Sequence, residues 1–378
     1  MRDPRPLGGR LGSMSRMSAL DLIPAGRTFT PEDIVVYADP QHRSLDEALH
    51  DADVLISCPH AGAAIPEELA EFLSPALTRR LQYDFTDVAT AAIVRRWASQ
   101  DPRVVAVINP HPRLVRDPNR ARPADVAADL TAAIERVRAA GPWQRVDLTG
   151  VDAIRPVTFS FFPIIEVPDT EAGLRRLVDA FVEVAERGLG VYERTRDDLT
   201  ARIVAERLRT GGRLTRLSFH DTMNTTTTKD GAVDVPRAEK DRLPRIVALS
   251  NRGDTRGEER DPADPPTMAP ARLRVLAEAH RVGFEAAEPG DVALNQPYLG
   301  SQEILAAGAR FRALADEAAA AGAEFDAVQA EFLREFLLGE EATAELHRPG
   351  TDWITEDPAH VDRLAAACRR SWDLYRAR

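Results

Sequence analysis

Short apolar runs alternate with longer segments of helical periodicity along most of this chain. The apolar runs have the length of buried strands in an α/β sheet and cover residues 54–56, 104–108 and 246–249, with 34–37 as a candidate first strand. Residues 214–219 alternate like a strand, and residues 325–333 suit a last inner strand or a strand-to-helix join. Apolar residues recur at helical spacing over residues 66–80, 86–99, 124–140, 170–188, 191–209, 271–288, 302–321 and 359–376. This order predicts a three-layer α/β/α fold around a mostly parallel, mixed central sheet.

The same pattern predicts a single α/β domain over residues 31–378, with helical insertions at about 124–212 and 302–325. Residues 1–30 lack this periodicity and begin with an Arg- and Gly-rich stretch, so we expect a flexible N-terminal segment. Residues 1–16 carry no apolar core of a secretory signal, and no apolar run approaches the roughly 20 residues of a membrane span.

Composition limits the kinds of partner that the protein could bind and indicates its cellular compartment. The 378 residues carry a formal net charge of −11, which argues against binding to nucleic acid or to an anionic membrane. Cys58 and Cys368 are the only cysteines and lie far apart, which is typical of a reducing cytoplasm and excludes a thiolate metal cage. We therefore expect a cytoplasmic protein that binds a small molecule, and the oligomeric state stays open.

A histidine stands just after the strand predicted at 54–56. Pro59 ends the strand, Gly62 leaves the backbone bare around His60, and Pro66 opens the next helix. Open α/β sheets bind ligands at the carboxyl ends of their strands, so His60 is a candidate site residue. The alternative is a loop histidine without a role.

A second histidine, His220, follows the strand predicted at 214–219. Two histidines at strand ends and one carboxylate form the usual three-ligand set of a catalytic zinc ion, whose fourth position is open to water. The candidate carboxylates are Asp84 and Asp87, at the start of the helix predicted over 86–99; their alternative role is helix capping without a metal. We expect one zinc ion, although a mixed His/Asp site also suits iron or manganese.

The loop after the 104–108 strand is crowded with polar side chains, namely Arg113, Arg116, Asp117, Asn119 and Arg120. Arginine binds carboxylates through a bidentate fork, and Arg120 beside Asn119 suits the α-carboxylate of a small acidic substrate. A solvated basic loop is the alternative.

Two later segments of the chain contain further candidate site residues. The turn at 295–300 carries Asn295 and Tyr298, which suit either a lid over a substrate or a plain turn. Glu331 lies in an apolar stretch, where burial raises the pKa of a carboxyl group and suits it to general-base catalysis. The alternative is a helix-surface glutamate, which is the role we expect for Glu335.

Taken in chain order, these motifs resemble those of the N-formylglutamate amidohydrolases, a zinc-dependent family whose fold is similar to that of the zinc carboxypeptidases and aspartoacylases. The matching segments are Pro59-His60-Ala61-Gly62 with Pro66, Thr86-Asp87, Arg113-Leu114-Val115-Arg116-Asp117-Pro118-Asn119-Arg120, His220, Asn251-Arg252-Gly253, Asn295-Gln296-Pro297-Tyr298-Leu299-Gly300 and Gln329-Ala330-Glu331. Each segment is short, and their shared order across residues 54–335 carries the resemblance.

The resemblance implies a metal-dependent hydrolase of a linear amide bond, cleaving an N-formyl- or N-acyl-amino acid such as N-formylglutamate. The implied zinc ligands are His60, His220 and one of Asp84 and Asp87. Glu331 would be the general base, and Arg120 would assist it by stabilising the oxyanion. The implied substrate-binding residues are Arg113, Asn119, Arg120, Asn295 and Tyr298. The expected partner is therefore a small amide that bears a carboxylate.

The chain departs from the family pattern near the second histidine. Ser218-Phe219-His220-Asp221 stands where the family tends to have Asp-x-His-Ser, so the Asp that would orient the histidine is absent and Asp221 is the alternative. Ala61 also replaces a serine, and Ser301 replaces a glycine. These changes leave two other functions open: an amidase of specialised metabolism with a different acyl amino acid or peptide-like substrate, or a metal-free binding protein.

Overall fold

The structure, a computed structural model, describes residues 19–141 and 143–378. Its strands are β1 (Leu22–Ile23), β2 (Val35–Tyr37), β3 (Val54–Cys58), β4 (Ile65–Pro66), β5 (Val104–Ile108), β6 (Gly212–Thr222), β7 (Thr225–Thr227), β8 (Val233–Pro236), β9 (Val247–Ser250), β10 (Val292–Leu294) and β11 (Ala323–Leu333). Its α-helices are α1 (Pro31–Ile34), α2 (Leu45–Asp51), α3 (Arg79–Asp84), α4 (Thr90–Ala98), α5 (Val126–Ala140), α6 (Glu171–Arg187), α7 (Leu189–Thr210), α8 (Pro270–Gly283), α9 (Gln302–Ala313), α10 (Ala315–Ala321), α11 (Arg334–Leu338), α12 (Glu340–Leu346) and α13 (Pro358–Arg376). Short 3₁₀ helices cover Glu67–Phe72, Glu239–Asp241 and Pro289–Asp291.

A central sheet of seven strands has the order β10-β9-β11-β6-β3-β5-β2. The inner strands β11, β6, β3 and β5 run parallel to one another. At the edges, β2 and the parallel pair β9–β10 run in the opposite direction. The predicted mixed, mostly parallel sheet is therefore confirmed. Because the inner strands are parallel, their carboxyl ends meet at one edge, which is where sheets of this kind bind ligands.

Apolar side chains cover both faces of the sheet, because successive residues of a strand point to opposite sides. On one face Ile56 belongs to a cluster with Trp97 of α4 and Trp372 of α13. On the other face Leu55 belongs to a cluster with Tyr192 of α7. Each fully buried side chain of this size contributes roughly 1.5–3 kcal/mol to folding, so both helical layers are held by the sheet. The predicted three-layer α/β/α fold is confirmed.

A further apolar cluster joins the segment after β4 to α5 and α6. Leu69, Leu114, Ile134 and Phe181 are almost fully buried within it. Phe85 belongs to the same cluster and also lines the cavity described below. The segment expected to be a helical insertion thus helps to build a wall of the site.

The helix predicted over 66–80 is interrupted. In its place the chain forms the 3₁₀ helix Glu67–Phe72 and then α3. The cause is Pro75, which has no amide proton and disfavours the helical conformation at Ser74. The Ser74 amide instead donates to the Ile164 carbonyl oxygen at 2.8 Å, which ties this segment to the further apolar cluster.

Part of the N-terminal segment expected to be flexible is packed against the domain. β1 pairs in parallel with β4, and the Asp21 amide donates to Gln82 Oε1 at 3.0 Å. Residues 21–23 therefore contact the domain, and flexibility of the segment stays a prediction. Residues 1–18, to which it also applied, lie outside the described residues.

A hairpin of β7 and β8 lies outside the central sheet and was not predicted. Its turn contains Asp230 and Gly231, and the chain leaves it at Arg237, whose amide donates to the Asn224 carbonyl oxygen at 2.9 Å. This bond closes the base of the hairpin and places Arg237 at the cavity.

Two further observations concern bilayers and thiols. Across residues 19–141 and 143–378, no helix combines the length and the apolar character that crossing a bilayer requires. Cys58 and Cys368 are free and buried, and burial raises the pKa of both thiols far above its usual range.

Candidate metal centre

The two histidines predicted at strand ends lie side by side. His60 follows β3 by two residues, and His220 lies on the parallel neighbour β6, with Ser57 and Ser218 in register. The centroids of the two imidazole rings are 5.0 Å apart and their planes meet at 63°. Residues distant in sequence meet here because neighbouring parallel strands end at the same edge.

Asp87 completes a group of three potential ligands. Its Oδ2 lies 2.8 Å from His220 Nδ1 and 3.2 Å from His60 Nδ1. One ligand atom from each residue lies within 4.8 Å of the other two, and all three side chains are buried. The Asp87 amide also donates to the His60 carbonyl oxygen at 2.9 Å, which holds the carboxylate against the first histidine.

Of the two candidate carboxylates, the structure brings Asp87 and not Asp84 to the histidines. Asp84 ends α3, and its Oδ2 accepts a hydrogen bond from Thr227 Oγ1 at 2.5 Å. The capping alternative does not describe Asp87, because α4 begins at Thr90 with Ala89 as its N-cap. The choice between the two aspartates, open in the sequence, follows from this geometry.

The outer nitrogen of each imidazole has a partner of its own. His60 Nε2 lies 2.6 Å from Asp117 Oδ1, and His220 Nε2 lies 2.9 Å from Ser218 Oγ. Metal-bound histidines usually have such a partner, which fixes the tautomer and the ring orientation. Both Nδ1 atoms are left facing Asp87. Two imidazole nitrogens and one carboxylate oxygen form a donor set that fits a catalytic zinc ion.

Two ionised carboxylates and the Arg113 guanidinium determine the electrostatics of this group. Burial and the Arg113 charge lower the pKa of His60, but Asp117 and Asp87 outweigh them and raise it. Burial raises the pKa of Asp87, but His60 and Arg113 outweigh it and hold that pKa well below its usual range. The pKa of Asp117 is lowered against burial by the same two groups. Arg113 contacts His60 Nδ1 and lies 3.6 Å from Asp87 Oδ1, so positive charge already faces the ionised carboxylates.

The three potential ligands line a cavity of about 430 Å³, together with Glu331. Glu331 on β11 lies in register with His220 on β6, so the two residues are direct neighbours across the strands. Glu331 is 6% exposed, and its Oε2 accepts a hydrogen bond from Gln329 Nε2 at 2.9 Å. Burial raises the pKa of Glu331, against the opposing effect of His220. A carboxylate with this position and proton affinity suits general-base catalysis.

Four arginines line the cavity in different states of pairing, and Arg334 among them is paired with Asp221. Arg113 lies against the histidine group, and Arg120 Nε donates to Asp152 Oδ2 at 2.7 Å. Arg237 had no predicted role; its Nη1 donates to Tyr298 OH at 3.4 Å, and its buried Nε has no partner. Within the part of the chain that the structure describes, Arg237 forms no ion pair. It is therefore the arginine whose charge is least compensated.

Asn119 and Tyr298, two further predicted substrate contacts, also line the cavity, but Asn295 does not. Asn295 is 6% exposed and accepts a hydrogen bond from the Asn251 amide at 2.9 Å. The reason is strand direction: β9 and β10 run opposite to the inner strands, so the chain leaves β10 away from the histidines. Asn295 therefore stabilises a loop, and the chain returns to the cavity at Tyr298.

Sequence reasoning gave no role to Asp117, Ser218 or Arg237. Asp117 was visible as a member of the polar loop, but its pairing with His60 depends on contact across strands. Ser218 was noted only as a departure from the family pattern. Arg237 follows a turn of Asp230 and Gly231 between β-branched runs, which is a hairpin signal that was not used.

Comparisons with known proteins agree with the predicted resemblance. A family model described as N-formylglutamate amidohydrolase matches residues 52–338. No curated protein matches the chain. Among solved structures, the chain is similar to N-formylglutamate amidohydrolase from Ralstonia eutropha JMP134, with 18% identity, coverage of 91% of this chain and 98% of that chain, and a TM-score of 0.48.

Proposed function

The chain belongs to the N-formylglutamate amidohydrolase family and is a hydrolase acting on an amide bond, and from this premise we propose that it cleaves an N-formyl- or N-acyl-amino acid such as N-formylglutamate with one bound zinc ion. The observation that carries the proposal is the convergence of His60, Asp87 and His220 within 4.8 Å beside a buried carboxylate, Glu331. A small amide that bears a carboxylate is the proposed substrate.

The proposed ligands are His60, Asp87 and His220. A divalent cation held by them supplies a Lewis acid that polarises the scissile carbonyl and lowers the pKa of a water molecule. Asp117 and Ser218 hold the outer nitrogens at 2.6 and 2.9 Å, so each ring presents its Nδ1 to the centre. Asp84 is not part of the proposal, because its Oδ2 accepts from Thr227.

Glu331 is the proposed general base. It takes a proton from the attacking water and delivers it to the leaving nitrogen, so the products are a carboxylic acid such as formate and an amino acid. Glu331 is the neighbour of His220 across the strands, next to the proposed metal centre, and burial raises its pKa. The Gln329 amide donates to Glu331 Oε2 at 2.9 Å and helps to hold the carboxylate in place.

The proposed carboxylate contacts lie among the cavity arginines. Arg237 and Tyr298 bind one carboxylate, since the guanidinium has an unpartnered Nε and no ion pair among the described residues. Arg120, beside Asn119, binds a second carboxylate such as that of a glutamate side chain, although Asp152 already offsets part of its charge. Arg113 lies against the centre and is placed to stabilise the developing oxyanion.

One observation favours a larger acyl group as a second candidate. Phe159 lines the cavity and is 43% exposed, and its ring lies under the guanidinium groups of Arg113 and Arg155 at 5.3 and 4.7 Å. An exposed aromatic face in a cavity gains energy by covering an apolar group of a ligand. An N-acyl amino acid with an apolar acyl group would use this surface, whereas a formyl group would not.

The test combines metal analysis with a substrate panel. Purified protein should contain about one zinc ion, lose activity on chelation and recover it with zinc, and the panel should contrast N-formylglutamate with N-acetylglutamate and with aromatic acyl glutamates. Glu331→Gln should lower kcat by about 10²–10⁴-fold and keep its metal. Glu335→Gln is the matched control, because Glu335 accepts from the Asn224 amide outside the cavity. A protein that takes up no metal would support the binding-protein alternative instead.

A further inference from the structure

The partner of His220 differs in kind from the partner expected by resemblance. A carboxylate two residues before the histidine is absent, and Ser218 stands there. Asp221, the alternative, points to the opposite side of β6, because neighbouring residues of a strand alternate. Its Oδ2 accepts from the Ala89 amide at 3.1 Å and its Oδ1 contacts Arg334 Nε, so its carboxylate is committed to the start of α4 and to α11.

Behind Ser218 lies a buried carboxylate that the mechanism has not used. Glu303, at the start of α9, is 4% exposed, and its Oε2 accepts hydrogen bonds from Ser218 Oγ at 3.1 Å and from Ser57 Oγ at 2.6 Å. Its Oε1 accepts from Tyr192 OH at 2.7 Å and from Arg196 Nη1 at 2.5 Å. Three hydroxyls and a guanidinium surround this side chain.

These contacts keep Glu303 ionised. Burial raises the pKa of its carboxyl, but Arg196 and Arg216, together with the hydroxyl donors, outweigh burial and lower the pKa to about 2. An ionised carboxylate has only acceptor atoms. Each hydroxyl that contacts Glu303 must therefore direct its proton to it.

This requirement fixes the proton of His220. Because Ser218 gives its proton to Glu303, Ser218 Oγ is left to accept, and the atom 2.9 Å away is His220 Nε2. His220 Nε2 must then carry hydrogen, and the lone pair of a neutral ring lies on Nδ1, which faces Asp87 Oδ2 at 2.8 Å. A metal ion at the centre would accept this lone pair and bind the Asp87 carboxylate beside it.

We propose that Glu303 is a positioning residue that acts through Ser218, holding His220 with Nε2 protonated and Nδ1 free to ligate. Asp117 has the corresponding role for His60, but its Oδ1 contacts His60 Nε2 directly, at 2.6 Å. In this chain the carboxylate therefore reaches His220 through a hydroxyl group. The hydroxyl belongs to Ser218 on β6, and the carboxylate belongs to Glu303 on α9. The inference rests on the metal site of the proposed function and adds to it how the second imidazole is oriented.

The experiment measures zinc affinity by competition with a chromogenic chelator in four variants and the wild type. Ser218→Ala removes the acceptor, and Glu303→Gln introduces an amide donor that lets the Ser218 proton turn to His220. Each should weaken zinc binding by about 10–100-fold, as for other lost partners of metal-bound histidines. The double variant should bind no more weakly than Ser218→Ala. Ser57→Ala is the matched control; it removes a hydroxyl from the same carboxylate without touching His220, and its affinity should change less than about threefold.

Nitrogen-15 NMR of the zinc-loaded wild type provides a readout that needs no variant. His220 should show its proton on Nε2, and a proton on Nδ1 would overturn the proposal. Additive effects of Ser218→Ala and Glu303→Gln, or an equal loss in Ser57→Ala, would show that Glu303 is only a structural ion pair with Arg196. Wild-type protein that binds no zinc would refute the proposed function and this inference together, whereas tight zinc binding in both single variants would refute only the inference.

Discussion

The two ends of the cavity are built in opposite ways. At the histidine end, His60, Asp87 and His220 are 1–3% exposed, and each imidazole nitrogen has a polar partner within 3.2 Å. At the arginine end, Arg237 is half-buried, its nearest partner is Tyr298 OH at 3.4 Å, and its Nε has none. At the histidine end the imidazole nitrogens all have partners, whereas at the other end the Arg237 guanidinium has a donor without one.

This difference indicates what each end contributes. Imidazole rings whose nitrogens all have partners keep their orientation before any ligand arrives, which is what a metal centre needs. A guanidinium without a counter-charge gains an ion-pair partner only when a ligand binds. Its interaction energy therefore stabilises the complex and not the free protein. Substitutions at the histidine end should therefore change metal content and kcat, whereas substitutions at the arginine end should change KM.

The largest effect should come from a matched pair of aspartates at the histidine end. Asp87→Asn neutralises the carboxylate between the two imidazoles, and we expect zinc affinity and kcat/KM to fall by more than about 100-fold, beyond the usual loss for an outer partner. Asp84→Asn makes the same chemical change three residues earlier, where Thr227 can still donate to the amide oxygen, and should change both quantities less than about threefold. Metal content after dialysis and steady-state kinetics measure both. Equal losses in the two variants would contradict the assignment of Asp87, and not Asp84, to the metal centre.

The histidine end was largely predictable from the sequence. The runs that became β3 and β5 are apolar on both faces, and such runs identify inner strands of an α/β sheet directly, whereas the run that became β6 alternates between apolar and polar residues. Parallel inner strands bring their carboxyl ends together, so His60 and His220 could be expected to meet. The partners of these residues were less accessible. Asp87 is selected over Asp84 by its amide bond to His60, and Ser218 meets Glu303 only through the packing of α9 on the sheet.

The arginine end was predicted less well, because it depends on strand direction and on irregular segments. Asn295 was expected at the substrate, but the antiparallel course of β10 carries it away. Arg120 was expected to bind a substrate carboxylate, and the structure pairs it with Asp152 from another loop. Arg237 was missed because the hairpin of β7 and β8 is too short for periodicity to reveal. Residue types alone do not specify which arginine in a basic cavity remains without a counter-charge.

A second matched pair tests the arginine end. Arg237→Met keeps the apolar stem and removes the charge, and we expect KM for a carboxylate-bearing amide to rise by about 10–100-fold with kcat changed less, since charged hydrogen bonds contribute about 1.5–3 kcal/mol. Arg120→Met should raise KM by less than about tenfold, because its charge is already partly offset by Asp152. Zinc content should be unchanged in both. The reverse order of KM values would assign the main carboxylate contact to Arg120.

A third comparison concerns two buried histidines of the same region, His60 and His111. Asp117 and Asp87 raise the pKa of His60 against burial. His111 is also buried but has no such carboxylate pair; burial lowers its pKa to about 4, with only Glu68 opposing. Its Nδ1 accepts a hydrogen bond from the Leu189 amide at 3.2 Å, which a protonated ring could not do. The pKa values of these two buried histidines thus shift in opposite directions, because only His60 lies beside a pair of carboxylates.

The smallest effect on turnover, and a clear effect on stability, is expected from His111→Asn. The histidine pKa is about 6.5 in an unfolded chain and about 4 in the native state, so the unfolded state binds the proton first and stability falls as pH drops from 6.5 to 4. The loss should reach about 3 kcal/mol from this residue, because the two pKa values differ by about 2.5 and each unit corresponds to about 1.4 kcal/mol. The introduced asparagine would still offer an oxygen to Leu189 but would not titrate, so denaturant unfolding at several pH values should show a shallower decline. His42→Asn, at an exposed histidine, should leave the wild-type slope unchanged. A wild-type slope in His111→Asn would show that burial of this ring does not resist protonation.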